Sequence, residues 1–164
     1  MNNNVLKAVI AGSLVASLGL GATAAHAATA SATAKAKILR QVTVTNSTDL
    51  QFGTIVSAPT ASTVVVSTAG ARVCGTGLVC TGASTAAAFA VTGTSGQVVT
   101  VSVPATVTLS SGTNSMSSTL NASAATLTLA ANAGAFTVGG VLAVGANQAD
   151  GDYAGTFIAT VDYQ

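Results

Sequence analysis

The chain has 164 residues and almost no charge: five Lys and Arg, four acidic residues, one His and a formal net charge of +1. No basic patch exists to hold nucleic acid, and a single histidine leaves hydrolytic triads and metal centres without their commonest side chain. So little charge also gives little colloidal repulsion, so association between copies is easy.

Met1 to Lys7 is a polar start with one positive charge, and Ala8 to Leu20 is an apolar run. Ala25-His26-Ala27 then supplies a small-x-small cleavage site, so residues 1–27 read as a secretory signal peptide cut between Ala27 and Ala28. A membrane anchor is the competing reading. It needs about 20 apolar residues, and this run is shorter and interrupted by Gly12 and Gly19. The mature chain is therefore expected to be exported and to lack a membrane span. Cleavage removes the only histidine. It leaves Lys35, Lys37, Arg40 and Arg72 against Asp49, Asp150, Asp152 and Asp162, a net charge of zero.

Residues 28–37 form an arm in which alanine alternates with Thr, Ser and Lys. It reads as a donor strand for another chain or as a disordered leader. From Ile38 onward the pattern is β throughout. Apolar and β-branched runs fall at Ile38–Thr45, Leu50–Val56, Thr63–Ser67, Ala86–Thr92, Val98–Val103, Ala105–Leu109, Met116–Leu120, Leu127–Ala130 and Phe136–Val144. Gly, Asn, Ser and Pro separate them at roughly the 8–12-residue spacing of sandwiches and barrels. No sustained 3.6-residue period follows residue 27. One domain over residues 38–164 is expected. Cys74 and Cys80 bracket a short glycine-containing loop, and in an exported chain they are expected to form a disulfide pinning a hairpin or loop tip.

The C-terminal segment opens at Gly151. Tyr153, Phe157, Ala159, Val161 and Tyr163 share one parity, while Asp152, Thr156, Thr160 and Asp162 take the other. Period 2 places the first set on one face of a strand. Two readings stay open: an ordinary last strand with a buried face, or an edge that another chain reaches. A small membrane barrel alternates too, but it needs strands of about ten residues and aromatic girdles. The chain has four Phe and two Tyr and ends in Gln164. A soluble two-sheet sandwich is the better fit.

Two resemblances follow from these residues. Asp49-Leu-Gln-Phe-Gly-Thr-Ile55, with the later stretch Val138 to Phe157, resembles the bacterial exported domain-of-unknown-function family 4402. That resemblance covers about Ala28 to Gln164 and implies an immunoglobulin-like, pilin-like β-sandwich. More narrowly, the C-terminal strand resembles that of fimbrial subunits assembled by a periplasmic chaperone and an usher. They too have a glycine fourteen places from the end and a penultimate tyrosine, here Gly151 and Tyr163. The second resemblance implies an assembly strand gripped by a chaperone.

No nucleophile elbow or phosphate loop occurs. Asp150 and Asp152 are the closest carboxylate pair, and around Gly151 they read as turn formers. With Asn147 they offer too few oxygens for calcium. The expectation is a protein without cofactor or catalytic residues, located in the periplasm, at the cell surface or outside the cell. It would be a structural subunit of a homopolymeric filament or coat built by strand addition; the alternative is a secreted binding module recognising a surface or glycan.

Overall fold

Regular structure in the computed structural model is entirely β among residues 27–164, the residues it describes. The expected signal peptide, residues 1–27, lies outside them except for Ala27. The chain divides into two units, Met1–Ala36 and Lys37–Gln164. Within the first, residues 27–36 are exposed and belong to no strand.

The second unit carries twelve strands: β1 (Thr43–Thr48), β2 (Thr54–Val56), β3 (Ser62–Val66), β4 (Arg72–Cys74), β5 (Val79–Thr81) and β6 (Ala87–Thr92), followed by β7 (Val98–Ser102), β8 (Thr106–Ser111), β9 (Asn114–Ala122), β10 (Thr126–Thr128), β11 (Ala133–Val144) and β12 (Thr160–Tyr163). All pairings are antiparallel. One seven-stranded sheet is organised around β11, the longest strand at 12 residues. Val138 pairs with Ala87 of β6 and Ala122 of β9, and Val141 pairs with Val65 of β3 and Thr119 of β9. Strands β6 and β3 therefore follow one another along one edge of β11, and β9 occupies the other. β1 extends β6, β4 extends β3 and β8 extends β9.

The alternation of β11 explains how one strand serves two cores. Phe136, Val138, Leu142 and Val144 share a parity and are almost fully buried. The first pair sits in one hydrophobic cluster with Phe89, Val91, Val99, Val101 and Val161; the second sits in another with Phe52, Val64, Val66 and Leu78. Between them lies Gly139-Gly140. A side chain at Gly139 would meet the Val66 carbonyl oxygen and the Ser67 and Thr68 backbone, so the close passage of β3 requires glycine here.

A smaller sheet covers each cluster. The first cover is three-stranded, β10-β7-β12, and the second is the pair β2-β5. Val99 and Val101 face inward from β7, and Phe89 stacks on Phe136 with ring centroids 5.0 Å apart. This is the two-layer, all-β sandwich expected from the strand periodicity. No buried side-chain nitrogen or oxygen among the described residues lacks a hydrogen-bond partner.

Candidate functional site

The C-terminal segment keeps its expected parity over a shorter strand. Only Thr160–Tyr163 is β, pairing with β7 through Val161↔Val101 and Tyr163↔Val99. Ala159 and Val161 enter the first cluster, and Phe157 approaches Phe89 edge-on at 6.1 Å between centroids. Residues 153–159 are not strand; Ala154 makes one bridge to Ser110 of β8. Gly151 has a φ of 152°, and a side chain there would strike the Ser111 hydroxyl. The Tyr153 hydroxyl donates to the Ala149 carbonyl and accepts from Gln148 Nε2.

Tyr163 ties β12 to the segment just before β1. Its hydroxyl accepts from the Thr94 amide at 2.7 Å and donates to the Arg40 carbonyl at 2.7 Å. The Arg40 amide in turn donates to Thr94 Oγ1 at 2.7 Å. The penultimate tyrosine is thus engaged within its own chain. The first strand starts at Thr43 and not at Ile38, whose side chain is 92% exposed.

Cys74 and Cys80 form a disulfide. Of the hairpin and the loop tip expected, it pins no hairpin, since β4 and β5 do not pair, and it closes the short loop 75–78 between them. Cys74 ends β4 in the large sheet and Cys80 lies in β5 of the two-stranded cover, so the bridge joins the two layers. Arg72, two residues earlier, reinforces the same junction. Its Nη1 donates to the carbonyls of Phe52 (3.0 Å) and Thr81 (2.9 Å). Gly53, with φ +77°, lies against that guanidinium, where any side chain would collide. These contacts give the Leu50-Gln-Phe-Gly-Thr-Ile55 motif its structural meaning: Phe52 fills the core, and Gly53 makes room for Arg72.

The second cluster is incompletely covered. At the level of Val141 the large sheet runs five strands wide, through Val73, Val65, Val141, Thr119 and Thr106. Four interstrand spacings make that floor about 19 Å across. Its cover is only β2-β5. A cavity of about 830 Å³ opens beside β2. One wall is the continuous run Leu50–Ser57, the other is Gln148–Tyr153, and Leu109, Met116, Leu142 and Val144 form the floor. Only Thr54–Val56 of the first wall is strand, Gly53 having a φ of +77°. Among the described residues β2 pairs with β5 alone, so its other edge has no strand partner. One end of the opening is closed where the Asn147 amide donates to the Ala58 carbonyl at 2.8 Å.

The groove brings together residues that the sequence pattern left apart. Asp150 and Asp152 stand exposed on its rim and Tyr153 lies in its wall. Leu109 and Met116 carried only the mark of strand residues; nothing in their spacing announced an opening. Among the described residues no cluster of three or more His, Cys, Asp or Glu is placed to hold a metal, and no helix is long and apolar enough to cross a membrane.

A family model described as a domain of unknown function, DUF4402, matches residues 42–163. No curated protein matches the sequence.

Proposed function

The chain belongs to the DUF4402 family, a domain of unknown function, and from that premise we propose that it is a non-enzymatic, exported structural subunit of a surface filament or coat. The subunits join by β-strand addition, in which an extended segment of one copy pairs its backbone with an open strand edge of the next. The observation that carries this reading is the unpaired arm. Residues 27–38 are all exposed and make no strand pairing, although 28–37 alternate as a strand does. An open sheet edge in the same chain is a template for such a segment. β12, the outer strand of β10-β7-β12, offers one open edge, and β2 offers another.

Export precedes assembly on this reading. Cleavage between Ala27 and Ala28 frees the arm, and a periplasmic chaperone and an usher are the partners that would keep the edge covered until delivery. The test is to recover the exported protein, sequence its N-terminus, and follow its size by light scattering and electron microscopy. Residue 28 at the N-terminus and filaments lost on deletion of residues 28–37 are expected. A protein that stays monomeric at every concentration, on cells and in solution, overturns the proposal.

The second reading is a self-contained binding module recognising a surface or glycan. Full hydrogen-bond satisfaction of buried side chains among the described residues favours it, since no buried polar side chain there waits for a partner. It requires a monomer whose association state the arm deletion leaves unchanged.

A further inference from the structure

We propose that the acceptor for the arm is the groove beside β2, where residues 28–38 of a second copy lie as an added strand between Thr54–Val56 and Gln148–Tyr153. This rests on the assembly reading above and names its site. The C-terminal strand, the expected acceptor edge, is then part of the core and its latch.

Three features fit this occupant. The first is dimension. The open strand, Thr54–Val56, is three residues long, about 10 Å, and a short central part of the eleven-residue arm, which reaches about 36 Å, is enough to pair along it. The floor is about 19 Å wide while its cover has two strands, so one more strand at a spacing near 4.8 Å continues the cover across the opening.

The second is shape. Leu142 and Val144 in the floor are already 2% and 3% exposed. They leave no deep hole for large side chains. An incoming face of Ala28, Ala30, Ala32, Ala34 and Ala36 lies flat on such a floor, with Ile38 at its end. The alanine face that would be too small for deep pockets has the right size for a shallow trough. It covers the half-buried Leu109 and Met116 while its backbone supplies β2 with the missing ladder.

The third is charge. The opposite parity of the arm is Thr29, Ser31, Thr33, Lys35 and Lys37, with two cations and no acid. With the alanine face down, these residues point outward to the rim, where Asp150 and Asp152 stand exposed. Rim charges of this kind act mostly on encounter rate and register. In a protein with four acids in all, two of them on this one rim is a local concentration.

The experiment uses the exported protein expressed from the full chain, with a benzophenone amino acid at Ala34. After assembly and irradiation, mass spectrometry maps the intermolecular crosslinks. Crosslinks to 50–57, 109, 116 or 148–153 are expected. Filaments whose crosslinks fall on Thr160–Tyr163 or Thr43–Thr48 overturn the groove assignment and leave the assembly reading standing. Absence of any multimer overturns both. A charge series supplies a second readout. Asp150→Lys with Asp152→Lys slows assembly by about tenfold or more at low salt, and Lys35→Asp with Lys37→Asp in the same chain restores it. Equal slowing in both chains, or no slowing at all, overturns the paired-charge geometry.

Discussion

Replacing Tyr163 with phenylalanine removes one oxygen atom and leaves the ring. That atom holds two hydrogen bonds, from the Thr94 amide and to the Arg40 carbonyl, each 2.7 Å long. A neutral hydrogen bond contributes about 1 kcal/mol net, and a buried donor left without a partner costs about 1–3 kcal/mol. Arg40 is exposed, so water reaches its carbonyl and that loss falls at the low end. Thr94 is half-buried and follows the fully covered Gly93, so its amide is the dearer loss. Together these give about 2 kcal/mol of destabilisation, or a fall in Tm of roughly 5–8 °C for a unit of this size. Urea unfolding followed by circular dichroism measures the change as a lower midpoint with an unchanged slope. Amide exchange at Thr94 localises it. A second substitution sharpens the reasoning. A methyl group at Gly93 would lie 2.5 Å from Tyr163 Oη and 2.7 Å from Leu129 Cδ1. Gly93→Ala should therefore cost less in the Tyr163→Phe background than alone, a coupling that a double-mutant cycle reads directly. An unchanged midpoint in Tyr163→Phe, or strict additivity with Gly93→Ala, would refute the latch.

Two further outcomes follow from the packing. Replacing both Cys74 and Cys80 with serine opens a ring whose ends are six residues apart in sequence. It should lower stability by about 2 kcal/mol in denaturant without abolishing folding, because the closed loop is short; complete unfolding at 25 °C would contradict this. Gly139→Ala sets a side chain against the Val66, Ser67 and Thr68 backbone, which has no rotamer to yield. A loss of about 3 kcal/mol or more is expected, with a lower urea midpoint as the measure; a midpoint within experimental error of wild type would show that β3 moves freely there.

Much of the sandwich was legible because its inward residues alternate over five or more positions. Phe89 and Val91, Val99 and Val101, and Phe136 to Val144 all announce their faces, and the structure buries them. β4 and β5 have three residues each, too few for a period to show, and Cys74 at the end of β4 and Cys80 within β5 mark a hairpin or loop tip before they mark two separate strands. The C-terminal strand was read too long for the opposite reason. Tyr153 to Ala159 keep the right parity, but Gly155 runs into close contact with the Thr108 carbonyl, and the chain makes only one bridge, at Ala154, before Thr160. The groove was invisible for a topological reason. Its walls, Leu50–Ser57 and Gln148–Tyr153, are about ninety residues apart in sequence and meet only because both flank the floor that β8, β9 and β11 form. Short-range patterns carry face and element type, and they carry nothing about which edges remain open.

The position of β11 late in the chain has a consequence for the order of folding. Its partners come from residues 62–66, 87–92 and 117–122, all made earlier, and none of those three strands pairs with either of the others. Until residue 144 is present, each of them lacks its central neighbour, and both hydrophobic clusters lack one wall. A chain emerging N-terminus first therefore collapses productively only near the end of its passage, with mostly non-local contacts to form at once. Folding should be slow for its size and all-or-none, because a single strand belongs to both cores and neither half can melt while the other keeps it.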